Sequence, residues 1–167
     1  MKVSPSLNML TLSRKRLTSA EHMAYLTLPL TQEKRILIKI LYEMRESVLF
    51  LMCAVLSQTL KNGGATVKEE EKIFSLFRKK CSAEFMITQT ELEILKSVLV
   101  LYRKHTESPF EFVRKDSFII LSDELETEII SMSHVRNCLA ILESIFEKII
   151  EKMARRSKES AVKERYK

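Results

Sequence analysis

The residues best suited to chemistry lie close together, between positions 104 and 115. His105 can act as a general acid or base, Glu107 and Glu111 add carboxylates, and Arg114 can bind an anion. The dipeptide Ser108-Pro109 predicts a rigid turn that brings these side chains near one another. This segment therefore predicts a candidate catalytic site formed by His105, Glu111 and Arg114.

The same segment also has a structural interpretation. A histidine in the last turn of a helix is stabilised by the helix dipole. Glu111 and Arg114 can form an ion pair on the surface, and the Ser108-Pro109 turn needs no function to explain it. Both interpretations of the segment stay open at the level of sequence.

Basic residues at the two ends of the chain form a second candidate site, for anions or nucleic acid. The net charge is +6, but residues 1–20 and 155–167 each carry a net +4, so the stretch between them is close to neutral. Screened attraction to phosphates would come from the ends, and solubilising tails are the alternative. The candidate anion-binding residues are Arg114, Lys115, Arg155, Arg156 and Lys158.

Several classes of site are excluded by composition. Gly63 and Gly64 are the only glycines, so the glycine-rich loops that bind phosphates in nucleotide-binding proteins cannot form. Three isolated histidines show no spacing typical of metal ligands. We therefore predict no metal site and no cofactor.

Cysteines and hydropathy indicate the setting of the protein. Cys53, Cys81 and Cys138 are odd in number and lie in apolar stretches, which is typical of a reducing compartment. The longest apolar run, residues 47–60, is shorter than the ~20 residues that a membrane span needs. We expect a cytoplasmic protein without a membrane span.

The hydrophobic pattern predicts four helices. A long helix from Thr31 to about Lys61 and a last helix from Ser133 to about Met153 both repeat apolar residues every three or four positions. Thr66 with Glu69, and Thr88 with Glu91, have the spacing of capping boxes. They predict two shorter helices ending near Cys81 and His105.

The region between the third and the last predicted helix has a different pattern. Aromatic and β-branched residues flank the polar turn 114–117, which predicts a β-hairpin over residues 110–121, followed by an exposed acidic loop over residues 122–128. The predicted fold is mostly all-α, a four-helix bundle with a small hairpin before the last helix. The predicted domains are a flexible basic arm (1–28), one bundle (29–154) and a basic tail (155–167).

The motif His105-x-x-Ser108-Pro109-x-Glu111-Phe112-x-Arg114, between a helix and an apolar strand, resembles a group of small archaeal helical proteins with no assigned activity. The likeness extends over about residues 29–153. It implies the helical fold and an intracellular prokaryotic setting, and it carries over no activity.

A second resemblance is to the HEPN superfamily, whose small helical bundles often dimerise and in active members cleave RNA with an Arg followed by a His on one helix. Arg136-Asn137 begins such a motif, but Leu142 stands where the His is expected. Arg16 and His22 have a similar separation, with Leu17 in place of the usual polar residue. This resemblance implies an RNA-binding protein or ribonuclease, or a relative without cleavage activity.

Two long apolar seams without a catalytic signature favour a non-enzymatic interaction protein. We expect it to bind another protein, most simply a second copy of itself through apolar helix faces. The alternative is the HEPN-like RNA-binding protein or ribonuclease. Weak contact of the basic ends with nucleic acid is a further possible interaction.

Overall fold

The computed structural model of the chain describes residues 5–60 and 69–165, with side chains up to residue 156. The described part is mostly α-helical, with a small antiparallel sheet directly before the last helix, which confirms the predicted fold class. The elements in chain order are helix α1 (Pro5–His22), a π-helical turn (Met23–Thr27), α2 (Leu28–Thr31), α3 (Ile36–Thr59), α4 (Glu70–Lys80), α5 (Gln89–Glu107), strands β1 (Phe110–Arg114), β2 (Ser117–Leu121) and β3 (Thr127–Ser131), and α6 (Met132–Arg165).

Helix α3 is the centre of the core, because α1, α4, α5 and α6 all pack against it. Its residues from Leu51 to Leu56 are buried all round, as expected for a helix enclosed by neighbours. The two predicted seams are buried within a single chain, as the almost complete burial of Leu41, Val48, Leu142 and Ile149 shows. The apolar helix faces expected to bind another copy are thus already covered.

The N-terminal segment is the main correction to the predicted organisation. Residues 5–28 are not a flexible arm: α1 lies along α3, and Leu10, Leu17 and Leu28 belong to the core. The predicted boundary between residues 28 and 29 is therefore wrong. The buried positions of α1 and the π-helical turn recur every three or four residues: Ser6, Leu10, Ser13, Leu17, Ala20 and Ala24. Four of these six residues are small.

Small residues let α1 approach α3 closely enough for polar contacts between the two helices. The Ser13 hydroxyl donates to the Ser47 carbonyl oxygen at 2.9 Å, and the Ser47 hydroxyl donates to the Ser13 carbonyl oxygen at 3.0 Å. Arg14 on the flank of α1 forms an ion pair with Glu143 of α6 at 2.6 Å. The helix is thus attached to both long helices of the bundle.

The ends of the helices differ in part from the predictions. Thr88 and Glu91 form the predicted capping box at the start of α5. Helix α3 begins at Ile36, after a break where Gln32 takes a left-handed conformation (φ 55°), and not at Thr31. Thr66 lies outside the described residues, so its capping box stays a prediction.

Helix α6 begins earlier and ends later than predicted. It starts at Met132, and the hydroxyl that accepts from the His134 N–H, at 3.2 Å, is that of Ser131 and not of Ser133. It continues past Met153 to Arg165, so the predicted fraying after Met153 is wrong. A side-chain contact of Arg156 with Glu84, next to α4, fastens this extension to the bundle.

The predicted hairpin is confirmed, but a third strand joins it. Strands β1 and β2 pair antiparallel with Phe112 opposite Ile119, and β3 adds on the other side with Ile119 opposite Ile129. Residues 127 and 128, predicted as loop, belong to β3, which begins after a turn that places Leu125 at φ 62°. No helix in the described ranges has the length and hydropathy needed to cross a membrane.

Candidate functional site

His105 and Glu111 meet at the junction of α5 and the sheet. His105 lies in the last turn of α5 and Glu111 is the second residue of β1, and their Nδ1 and Oε1 atoms are 2.5 Å apart. The Ser108 hydroxyl contacts the carbonyl oxygens of Phe110 and Leu121, at 2.8 Å each, and fixes the turn between them. The predicted convergence of His105 and Glu111 is thus observed.

Aromatic rings support this imidazole from the helix side. The ring centroids of Tyr102 and His105 are 5.6 Å apart, and the Arg45 guanidinium lies 5.1 Å from the centroid of the Tyr102 ring. A carboxylate on Nδ1 and a ring against its side orient an imidazole, which is what a general acid or base needs. The geometry around His105 therefore suits a general acid or base.

The carboxylate also serves to attach the sheet to α5. Glu111 of β1 and Glu128 of β3 lie opposite the same β2 residue, Ile120, and so share one face of the sheet. Consecutive residues of α5 contact them, since Lys104 contacts Glu128 and His105 contacts Glu111. Two parallel contacts of this kind hold the inner face of the sheet against the end of the helix.

A cavity of about 390 Å³ adjoins His105 and Glu111, and the two basic residues of its wall were not predicted as site residues. Arg35 and Lys39, one turn apart at the start of α3, line it together with Phe112. Among the described side chains, no carboxylate pairs with either cation. The spacing of Arg35 and Lys39 shows that they share a face of a helix, but nothing in the sequence links that face to His105.

Arg114 does not join this cavity, which corrects the predicted anion clamp. It is exposed at the far end of β1 and is not part of the wall, whereas Lys115 occupies the tight turn between β1 and β2 at φ 53°. The same turn is attached to the bundle by an ion pair between Asp116 and Lys34, at 3.1 Å. Glu107 lines a different, acidic cavity of about 210 Å³ on the other side of the α5 end.

The predicted basic residues of the C-terminal tail have intramolecular partners where they are described. Arg156 contacts Glu84 and its guanidinium lies 5.4 Å from the centroid of the Phe85 ring, so it serves the packing of α6. Arg155 pairs with Glu151 one turn earlier on the same helix. The side chain of Lys158 lies outside the described residues.

The two possible HEPN motifs are not assembled as catalytic pairs. Arg16 is bound to Glu43 of α3 at 3.2 Å, while His22 is exposed at the end of α1. Arg136 lies 5.5 Å from the centroid of the Tyr25 ring, and Leu142 is part of the core. The described helices therefore lack an Arg–His pair at either motif.

The face of the sheet turned away from the helices is apolar and partly exposed. Phe110, Phe112 and Ile129 are 65%, 41% and 59% exposed, and they surround Ile119, which is only 6% exposed although it lies outside the main core. The strand registers place these four residues on one side of the sheet. On that side Arg114 is the only charged strand residue of the described sheet.

The described cysteines and carboxylates do not form a reactive or metal-binding centre. Burial raises the pKa of the Cys53 and Cys138 thiols to about 11 and also raises the pKa of Cys81, so thiolates are rare at neutral pH. Across residues 5–60 and 69–165, no three His, Cys, Asp or Glu side chains are grouped as ligands of a metal ion.

No protein-family model matches the chain, and neither a curated protein nor a solved structure is significantly similar to it. The two family resemblances therefore stay predictions. A function is therefore inferred from the surface of the molecule, and in particular from the His105–Glu111 cavity and the outward face of the sheet.

Proposed function

We propose that this protein is a non-enzymatic interaction protein that binds a second copy of itself through the outward face of its sheet. The observation that carries the proposal is the exposure of Phe110, Phe112 and Ile129 on one side of the described sheet, where Arg114 is the only charged strand residue. Large apolar side chains with few charges are the composition of the core of a protein–protein interface.

The burial of the helix seams explains why the sheet and not a helix takes this role. The seams that predicted self-association are covered within one chain, so they have no surface left to offer a partner. Within the described residues, α5 and α6 contact one side of the sheet and no element covers the other, and β1 and β3 are both edge strands. An exposed apolar face beside open strand edges favours association with another polypeptide.

The size of the surface indicates weak association. Three strands of five residues span roughly 17 by 14 Å. A standard interface buries about 800 Å² on each partner, so the residues around the sheet must contribute to the contact. We expect a dimer that dissociates in the micromolar range.

Sedimentation velocity over a concentration series tests this proposal. We expect wild-type protein to dimerise at tens of micromolar and the double variant Phe112→Ser/Ile129→Ser to remain monomeric. The control is Leu26→Ser/Leu30→Ser, which removes two exposed leucines elsewhere and should dimerise like the wild type. A monomeric wild type at all concentrations, or equal dimerisation of both double variants, would contradict the proposal.

A second candidate function is the binding of single-stranded RNA at the His105–Glu111 cavity. It is favoured by the unpaired Arg35 and Lys39 beside Phe112, since cations with an exposed ring suit a phosphate with a stacked base. His105 would then be the general base of a ribonuclease, or the protein would bind RNA without cleaving it. Against cleavage stands the role of Glu111 in attaching the sheet to α5.

Fluorescence anisotropy with a labelled oligouridylate separates these possibilities. Arg35→Gln/Lys39→Gln should weaken binding about tenfold or more, while Lys15→Gln/Lys80→Gln, which removes the same charge from other exposed sites, should change it little. Loss of cleavage in His105→Gln with unchanged binding would identify a ribonuclease. Equal weakening by both double variants, with a steep salt dependence, would indicate unspecific attraction, and loss of binding on removal of residues 155–167 would assign it to the tail.

A further inference from the structure

A groove of about 500 Å³ lies between α4 and α5. Both helices pack against α3, and where they separate they leave an apolar floor formed by Phe74, Leu99 and Val100. The volume lies in the range of pockets that hold small organic molecules. The groove shares no wall residue with the His105–Glu111 cavity.

The acidic residues of the groove are already neutralised at one of its ends. Glu70 and Glu71 open α4, and they contact Arg45 of α3 and Arg103 of α5, respectively. These ion pairs join three helices at that end of the groove. The carboxylates are therefore occupied and do not repel an anionic ligand as free acids would.

The cations at the other end of the groove have no such partners among the described residues. Arg78 and Lys79 in the last turn of α4, and Lys96 of α5, line the groove, and no described carboxylate pairs with any of them. Other cations of the body, such as Arg14, Arg16 and Lys148, each pair with an acid. Three unpaired cations beside an apolar floor make this end of the groove positive.

We propose that the groove binds a monomeric amphipathic anion, with an alkyl body on the floor and one carboxylate or phosphate head between Arg78, Lys79 and Lys96. The distribution of charged and apolar residues along the groove indicates this class of ligand. An apolar chain gains from contact with Phe74 and Val100, and an anionic head gains from the three cations at one end only. A ligand with an anionic head at both ends fits less well. Its second head would lie beside Glu70 and Glu71, whose cationic partners are already paired.

Isothermal titration with octanoate, decanoate and dodecanoate below their micelle concentrations tests the proposal. Affinity should rise about threefold or more for each two added carbons, because each methylene removed from water contributes to binding. Dodecanol, which has the same body without the charge, should bind at least about fivefold more weakly than dodecanoate.

Variants of the rim locate the site. Arg78→Gln/Lys96→Gln should weaken dodecanoate binding about tenfold, and Val100→Asp should abolish it, while Lys72→Gln/Lys80→Gln, exposed on α4 outside the groove, should bind as the wild type does. Circular dichroism shows whether each variant is folded. Equal binding of dodecanol, equal loss in both double variants, or binding only above the micelle concentration would overturn the proposal.

Discussion

Two surfaces of this molecule carry apolar side chains in regular order, and only one of them is closed within the chain. The seam of α1 lies against α3, with Leu17 and Ala20 almost completely buried. The outward face of the sheet carries Phe110, Phe112 and Ile129 with the same regularity, and they remain exposed. A regular apolar pattern predicts a contact surface, but it does not indicate whether the contact is made within the chain or with another molecule.

The difference follows from where each element lies in the fold. Helix α1 has the long central helix beside it, so its seam finds a partner along most of its length. The sheet uses one face on the end of α5 and the start of α6, through Ile120 and Ile130. No described element covers its other face, and this is the physical basis for expecting a partner there.

The largest effect is expected from a substitution in the contact between α1 and α3. Leu17→Ala deletes a buried side chain between α1 and α3 and should lower the free energy of unfolding by about 2–5 kcal/mol. The exposed Leu26, replaced by Ala in the control, should change it by about 0.5 kcal/mol or less. Urea unfolding monitored by circular dichroism measures both, and equal effects would show that α1 is not part of the folded unit.

How far the sequence predicts this closed surface depends on residue size. The seams of α3 and α6 are correctly predicted because Leu41, Val48, Leu142 and Ile149 are large and apolar. The seam of α1 was missed because alternate positions hold Ser13 and Ala20, which give a low mean hydropathy although they fit a close helix contact. The positions that pack on α3 recur every three or four residues, as in other amphipathic helices, but they are not hydrophobic enough to be recognised as a seam.

The candidate site was half predictable for a similar reason. His105 and Glu111 are close in sequence, and the turn at Ser108 brings them together as predicted. Arg35 and Lys39 come from a distant helix, and their place beside His105 follows from tertiary packing that no local pattern records. The same holds for the α4–α5 groove, whose wall combines residues of two helices.

The close approach of α1 and α3 yields a prediction that hydrophobicity alone would reverse. Ser13→Leu adds apolar surface, but it places a large side chain where the Ser13 and Ser47 hydroxyls now meet at 3.1 Å. Overpacking should cost about 1–3 kcal/mol in addition to the lost hydrogen bonds. Ser13→Ala should cost about 1 kcal/mol, and a Leu variant more stable than the Ala variant in urea unfolding would contradict the close contact.

Two carboxylates, the partly buried Glu21 and the buried Glu91, should affect stability with opposite dependence on pH. Burial and the nearby Glu143 raise the pKa of Glu21 on α1, so its favourable contribution is present below pH 4.5 and lost as the pH rises through its folded value. For Glu91 burial alone would raise the pKa, but hydrogen bonds from Lys148 and Thr88 outweigh it and lower the pKa. The stability it contributes is therefore present above pH 4.5 and lost as the pH falls through its folded value.

Substitution of each glutamate by glutamine should change the free energy of unfolding in opposite directions. At pH 7, Glu21→Gln should stabilise the protein and Glu91→Gln should destabilise it, by less than Leu17→Ala does. Both differences should be smaller at pH 3 than at pH 7, because the carboxyls of the unfolded chain are protonated below pH 4.5. Urea unfolding at the two pH values measures this, and the same sign for both variants at pH 7 would refute the assigned environments.

The smallest effect on stability is expected for a substitution on the outward face of the sheet. Ile129 and Ile130 are neighbours in β3, but Ile129 faces outward and is 59% exposed, whereas Ile130 faces the helices and is completely buried. In dilute, monomeric protein Ile129→Ala should change the free energy of unfolding by about 0.5 kcal/mol or less, and Ile130→Ala should cost about 2–5 kcal/mol. If dimerisation uses the outward face, the cost of Ile129→Ala should increase with protein concentration, because a bound partner stabilises the folded chain. A cost for Ile129→Ala that is large in dilute protein would mean that this side chain is already covered within one molecule, and the sheet would then be as closed as the contact of α1 with α3.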